Sequence, residues 1–259
     1  MSGYKAMAYQ TLRVRQQPGV QFVQIYRPEA NNAINATLVQ ELAALIQAVE
    51  ADPSINVIVL EGLPEVFCSG MDFQEYVAET RDEAQRTADF FTFLRQLAES
   101  SKVIVAKVQG KVNAGGIGLV AVSDLVVAES SASFGLSELL FGLLPAMVLP
   151  FLIQRLGRQK AKLLALTTQP ISAAEAQQWG LVDIYGADVE PLLRPYLQRW
   201  RRLSPLAIRR LKRYLNQLQP LDEATQTLAV KTIAEVMADP AIKAGIRRYV
   251  EEGVAPWSR

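Results

Sequence analysis

The chain is predicted to adopt an α/β fold, a spiral β/α core followed by a helical C-terminal extension. Three observations carry the prediction. Short apolar runs with strand character alternate with segments of helical periodicity through the first half. Two of those runs lead into glycine-bearing turns, Phe67-Cys68-Ser69-Gly70-Met71-Asp72 and Asn113-Ala114-Gly115-Gly116-Ile117-Gly118. The turns therefore lie at the C-terminal ends of strands, where open α/β sheets bind ligands. From Leu144 onward, helical patterns dominate.

The elements follow in order. Residues 11–15 alternate apolar and polar side chains, Gln17-Pro18-Gly19 marks a turn, and residues 20–25 alternate again, which reads as an antiparallel pair. Leu38, Leu42, Leu45, Ile46 and Val49 recur at helical spacing, with Thr37 and Gln40 placed to form a capping box. Residues 57–60 are wholly apolar and read as a buried strand leading to the first glycine turn. Residues 82–100 predict a helix with Phe90, Leu94 and Leu97 on one side. A second buried strand, 103–108, leads to the second glycine turn; a small apolar helix runs to Ser123, and 124–128 return as a strand. Ser172 with Glu175 has the pattern of a helix start, and Gly180 that of its end. Amphipathic helices fill the chain from about residue 189 to 249. The core is taken as residues 1–190 and the helical region as 191–259.

With 259 residues, half of them apolar, the chain can build one large domain or a domain with an appendage. A net charge of +1 creates no global field toward nucleic acid. One cysteine precludes an intramolecular disulfide framework and fits a reducing compartment. The first ten residues lack the apolar stretch of a secretory signal, and no apolar run reaches the ~18 residues of a membrane span. A cytoplasmic location, with no membrane partner, is expected. Histidine is absent altogether. This removes Ser-His-Asp and Cys-His catalysis in their usual forms, and nearly all common zinc sites. Proton transfer falls to Asp, Glu, Lys, Tyr or Cys. Cys68 would need a base to act as a nucleophile and reads as a small packed side chain.

Each glycine turn can expose backbone N–H groups, and two such groups aimed at one point form an oxyanion hole. Beyond them comes a lone carboxylate, Glu138, in Phe134-Gly135-Leu136-Ser137-Glu138. A carboxylate beside an oxyanion hole can move a proton next to a carbonyl. This is a recipe for enolate chemistry on a thioester, with no histidine, metal or nucleophile. The apolar neighbours Phe134, Leu136, Leu139 and Leu140 would desolvate Glu138 and raise its pKa toward working pH, as suits a general acid/base. The same residues also fit a blander reading: Gly115, Gly116 and Gly118 as packing glycines, Glu138 as a surface loop residue.

At this point the chain resembles the crotonase (enoyl-CoA hydratase/isomerase) superfamily over nearly its whole length. The resemblance rests on residues 27–35, 67–72, 114–116, 134–138 and 169–183, in that order. It implies a crotonase-like spiral of β-β-α units. It implies oxyanion donation by the N–H groups of Met71 and Gly115, and catalysis by Glu138, which matches the second of two hydratase glutamates. Gly70, Asp72, Gly116 and Gly118 then fall around the bound substrate, and Asn32 and Ala33 near the nucleotide or pantetheine end of the acyl carrier. The C-terminal helices would serve a homotrimer, or a hexamer, and the lid of a tunnel.

The first hydratase glutamate falls at Gly118, so the usual two-glutamate hydration is not expected. Glycine here would leave space for a substrate branched at C3. The segments 61–68, 72–75, 137–143 and 149–153 look like one subgroup, the dehydratase of polyketide β-branching cassettes. Such enzymes remove water from 3-hydroxy-3-methylglutaryl groups on an acyl carrier protein to give 3-methylglutaconyl thioesters, without a cofactor of their own. The expected mechanism is an elimination with Glu138 as the one acid/base. Two alternatives stand beside it. The decarboxylase of the same pathway leans on a Lys/His pair and lacks the Glu138 carboxylate; a non-catalytic, acyl-carrier-binding subunit would not need the oxyanion turns.

Asp72 and Glu75, just past the first turn, fit either substrate orientation or stabilisation of a helix start. The free carboxylate of a glutaryl substrate calls for a cation, and Arg81, Arg86 and Lys107 are the candidates. Residues 194–213 hold seven arginines and one lysine and no acid. Arg209 and Arg210 of this stretch are expected to dock an acidic carrier protein near the tunnel mouth. A solvated helical face explains the same charges, and the scarcity of interleaved aromatics argues against nucleic acid.

Overall fold

The computed structural model describes residues 8–78 and 83–258. Strands β1 (Leu12–Gln17) and β2 (Gly19–Ile25) form an antiparallel hairpin in which Gln17 pairs with Val20. β2 is followed across the sheet by β3 (Ile55–Glu61), β5 (Val103–Val108), β7 (Leu125–Glu129) and β10 (Ile184–Gly186), all parallel. Both faces of this sheet are covered, which is why its central strands read as unbroken apolar runs. Strand alternation sorts the side chains: Val57, Val59, Val103, Val105 and Val127 face one side, and Ile58, Leu60, Ile104, Ala106 and Val126 the other.

A second, smaller sheet consists of β4 (Val66–Cys68), β6 (Lys111–Asn113), β8 (Ser133–Gly135) and β9 (Ile171–Ser172), side by side in that order. The chain thus climbs through three β-β-α units. β3 and β4 lead to α2 (Phe73–Ala78) and α3 (Glu83–Ala98); β5 and β6 lead to α4 (Gly115–Ala121). β7 and β8 lead through a 3₁₀ turn, Glu138–Phe141, to α5 (Leu149–Leu156) and α6 (Arg158–Thr167). The glycine turns therefore follow β4 and β6, not the long strands β3 and β5. Three-residue strands carry too little alternation to announce themselves.

Helix α1 (Ala36–Glu50) buries Leu38, Leu42, Leu45, Ile46 and Val49, as its periodicity requires. Its cap, however, is Asn35, whose Oδ1 accepts the Leu38 N–H at 2.9 Å, rather than Thr37. Asn35 is the last extended residue before the helix, so its side chain, not that of Thr37, reaches the free amides. Helix α7 (Ala173–Trp179) starts at Ser172, whose hydroxyl accepts the Glu175 N–H, and stops at Gly180 with φ 88.

The division at residue 190 falls inside the first turn of α8 (Val189–Trp200). Leu193 and Leu197 of α8 and Ile208 of α9 (Pro205–Leu218) share a core with Val57, Val59 and Val105 of the sheet. Lys212 locks α9 down by donating to the Lys102 carbonyl at 2.9 Å and to Asp124 at 2.5 Å. Helices α10 (Glu223–Met237) and α11 (Pro240–Glu252) instead pack against α3 and α2. Among the described residues no helix is long and apolar enough to cross a membrane.

Candidate active site

The first turn is built from below by the segment preceding α1. Asn31 and Asn32 both take left-handed conformations, φ 50 and 53, which Asn tolerates better than most residues. Asn32 is fully buried; it accepts the Arg27 N–H at 2.8 Å and donates to the carbonyls of Val66 and Phe67. This reversal brings Ile34 alongside Met71. The Ile34 N–H donates to the Gly70 carbonyl at 2.7 Å and the Asp72 N–H to the Ile34 carbonyl at 3.0 Å, so the Met71 N–H points away from this pairing. Arg27 donates to the Ala33 carbonyl and, at 2.9 Å, to the Asp72 carboxylate. The other Asp72 oxygen accepts the Glu75 N–H. Glu75 in turn accepts from Asn35 and from the Ala36 N–H.

The second turn lies directly against the first. Gly70 has φ 98, and a Cβ there would stand 2.7 Å from the Ala114 Cβ and 3.5 Å from the Gly115 nitrogen. Ala114 itself is held at φ 47, ψ −119, a region rarely open to a residue with a side chain and costing of order 1–3 kcal/mol. Its N–H donates to the Gly135 carbonyl at 3.0 Å, and its carbonyl accepts from Ile117. This kink turns the chain from β6 into α4 and leaves Gly115 as the first helical residue, whose amide has no intrahelical acceptor. Among the described residues the N–H groups of Met71 and Gly115 have no hydrogen-bond acceptor. Gly116 is required because a Cβ would collide with Cys68, 2.8 Å from both its Cβ and its carbonyl oxygen. Cys68 is buried, and burial pushes its thiol up to about 12, so it is inert packing.

Glu138 reaches the same place through β8. In the parallel register Asn113 faces Gly135, and the Asn113 side chain donates to the Ser137 hydroxyl at 2.7 Å. Phe134 and Leu136 are buried and anchor the segment, while Ser137 and Glu138 face a cavity. Gly142, at φ 73, closes the 3₁₀ turn. One carboxylate oxygen of Glu138, Oε2, is buried with no hydrogen-bond partner. Desolvation raises its pKa from 4.5 to about 7, partly offset by a backbone hydrogen bond. A carboxyl group tuned near neutrality is suited both to take and to return a proton.

The cavity measures about 1100 Å³. Met71, Ala114, Gly115 and Glu138 lie together on its wall, and Met147, Val148, Phe90 and Phe93 supply an apolar floor. Its cover comes from α10 and α11 and the residues after them, including Met237, Tyr249 and Trp257. There Phe73, Phe141, Tyr249 and Trp257 form an edge-to-face aromatic cluster, with centroids 4.8 to 6.3 Å apart.

Among the predicted site residues, the structure brings Met71, Gly115 and Glu138 to one wall, with Ala33 and Asp72 on the border. It does not bring Gly70, Gly116, Gly118 or Asn32 to the cavity surface. Gly70 and Gly116 act through backbone shape, and Asn32 as an internal brace. The Gly118 expectation needs correction: no space is left there. A Cβ on Gly118 would lie 2.9 Å from Leu94 and 3.4 Å from Val148, whose side chains have closed over the position. Asp72 borders the cavity, but its carboxylate oxygens are engaged by Arg27 and the Glu75 amide. Arg209 and Arg210 are exposed on α9, on the sheet face opposite the cavity, so within one chain they do not flank its mouth. Lys107 is buried between Glu61 and Glu190, also away from the cavity. Arg81 lies outside the described residues; Arg86 borders the cavity. The sequence reading passed over Ser137, Asn113 and the Trp257 cover. Only the sequence nearness of Ser137 to Glu138 could have signalled the first.

A family model described as enoyl-CoA hydratase/isomerase matches residues 15–259. The bacillaene synthase dehydratase PksH of Bacillus subtilis is 44% identical over 254 residues, 97% of this chain and 98% of that protein. The crystal structure of B. subtilis pksH superposes with a TM-score of 0.91, covering 95% of this chain and 99% of the other. That of an enoyl-CoA hydratase/isomerase from Marinobacter aquaeolei gives 0.77 at 30% identity, covering 96% and 98%.

Proposed function

The chain belongs to the enoyl-CoA hydratase/isomerase family and is a hydro-lyase; we propose that it removes water from a 3-hydroxy-3-methylglutaryl group on an acyl carrier protein, giving a 3-methylglutaconyl thioester. Kinship with a dehydratase of bacillaene synthesis supports a polyketide role. The observation that carries the chemistry is the pairing of one buried, unpartnered carboxylate oxygen on Glu138 with two unengaged amides on the same wall, and no carboxylate at Gly118.

The thioester oxygen accepts from the Met71 and Gly115 N–H groups. Ionised Glu138 takes the C2 proton, and the electron pair of that bond moves into the thioester as an enolate. Collapse of the enolate forms the C2–C3 double bond and breaks the C3–O bond. The proton on Glu138 leaves with the hydroxyl as water, which restores the carboxylate. Each oxyanion donor of this type is worth roughly 3 kcal/mol of barrier. A tertiary C3 eases departure if positive character develops there, which compensates for the missing second carboxylate.

The carrier's pantetheine arm would enter between the cover helices and the 27–35 segment. Leu211, Tyr214, Leu215 and Leu218 of α9 are all more than half exposed. That apolar stripe supports self-association as a trimer or hexamer. The test is mass spectrometry of carrier-bound 3-hydroxy-3-methylglutaryl thioester incubated with the enzyme. Loss of water alone is expected. No reaction, or loss of carbon dioxide after dehydration, would overturn the assignment, the latter in favour of the decarboxylase reading.

A further inference from the structure

Elimination puts charge on two oxygens, that of the thioester and the one that departs from C3. The Met71 and Gly115 amides serve the first. For the second, no carboxylate stands at position 118, where Leu94 and Val148 close over the glycine. Beyond Glu138 the cavity wall is apolar, with Leu140, Phe141, Leu143, Leu144 and Met147. An oxygen that gathers charge against such a wall needs a hydrogen-bond donor. We propose that the Ser137 hydroxyl is a further catalytic group, which donates to the C3 oxygen as its bond to carbon breaks.

The local structure leaves that hydroxyl proton available. Ser137 stands at the start of the 3₁₀ turn Glu138–Phe141, where a serine ordinarily accepts from a backbone amide. Here its side chain makes no such cap. Instead Oγ accepts from Asn113 Nδ2 at 2.7 Å. That bond occupies a lone pair and leaves the O–H to donate elsewhere. Among the described residues it has no acceptor. It does not go to the neighbouring carboxylate oxygen Oε2 of Glu138, which has no partner.

The same bond fixes where the hydroxyl stands. Asn113 is two residues before the Gly115 amide. It faces Gly135 in the register of β6 and β8, and a Cβ on Gly135 would press on its Oδ1 at 3.3 Å. Ser137 Oγ is thereby tied to the turn that carries the second oxyanion amide, next to the residue that takes the C2 proton. Asn113, Gly115, Ser137 and Glu138 all border the cavity. The carboxyl that removes the C2 proton also returns it to the C3 oxygen, so that oxygen lies on the Glu138 side. Ser137 is the adjacent polar group there. Serine keeps its own proton. The C2–H pair becomes the new double bond, the C3–O pair leaves with oxygen, and water forms with the proton that Glu138 took from C2.

The inference rests on the dehydratase reading of this site, but not on one acyl group. Two rates are measured for the wild type, Ser137→Ala and Ser137→Thr. One is dehydration of the 3-hydroxy-3-methylglutaryl and 3-hydroxybutyryl pantetheine thioesters. The other is deuterium exchange at C2 of the 3-methylglutaryl thioester, which needs the amides and Glu138 but has no hydroxyl to lose. Ser137→Ala should lower kcat for dehydration about 10- to 100-fold and leave exchange within about threefold. Ser137→Thr, which keeps the hydroxyl, should recover most of the dehydration rate. Undiminished dehydration in Ser137→Ala overturns the proposal. So does an equal loss of both rates, which would make Ser137 a support for Glu138 alone. A wild type that dehydrates only the butyryl thioester sinks the substrate reading above, and a Ser137→Ala loss confined to that dehydration still supports this one.

Discussion

Replacing Glu138 with Gln should stabilise the folded protein while abolishing turnover, and the stabilisation should depend on pH in a defined direction. In the unfolded chain the carboxyl ionises near 4.5; in the fold, burial moves it to about 7. Below pH 4.5 both states are protonated and nothing is lost. Between 4.5 and 7 the unfolded chain releases its proton while the folded one keeps it, so stability falls as pH rises. Above 7 the full difference is lost, about 3 kcal/mol at 1.4 kcal/mol per tenfold. Glutamine mimics the protonated acid at every pH. The stability advantage of Glu138→Gln over wild type should therefore grow by about 2 kcal/mol from pH 5.5 to 8.5. Urea unfolding of both proteins at these two pH values measures it directly, with equal m-values as the control. The same ionisation should shape wild-type kcat/KM, which is expected to rise through an apparent pKa near 7 as the base form appears. A stability difference that stays flat with pH would refute the claim that the fold holds this carboxyl in a desolvated position.

Three further outcomes are expected. Gly118→Glu, which restores the glutamate of ordinary hydratases in sequence, should not create a hydratase; its side chain must displace Leu94 and Val148, at a cost of at least about 2 kcal/mol in urea unfolding. Asp72→Asn should lower stability by about 3 kcal/mol, because it removes the carboxylate charge 2.9 Å from the Arg27 guanidinium, in a pair whose side chains are both about nine-tenths buried. Trp257→Ala should raise KM severalfold with under about 1 kcal/mol of lost stability, since this ring, 49% exposed, packs on Phe141 at the cavity cover.

The parts of the site that depend on local chemistry were readable from the chain. Two amides need only a turn that glycine permits, and Glu138 stands in an apolar neighbourhood that announces its own desolvation. The long parallel strands were readable because burial on both faces leaves an unbroken apolar run. What escaped were features that depend on distant partners. β4, β6 and β8 are three residues each and become strands only by pairing with one another. Gly118 suggests open space, but Leu94 of α3 and Val148, just before α5, close over it. Ala114 carries the strained kink that aims the second amide, although glycines surround it and draw the eye. That Lys107 lies away from the cavity follows from which side of the sheet its strand presents, a tertiary fact. Charge alone suggests that Arg209 and Arg210 stand near the tunnel mouth, whereas within one chain α9 packs behind the sheet.

A crystal structure of Glu138→Gln soaked with the 3-hydroxy-3-methylglutaryl pantetheine thioester probes the heart of this account. The thioester oxygen is expected about 2.7–3.1 Å from both the Met71 and Gly115 nitrogens, with C2 turned toward the residue 138 side chain. A thioester carbonyl bound elsewhere in the cavity, or one held by these amides with residue 138 out of reach of C2, would contradict it.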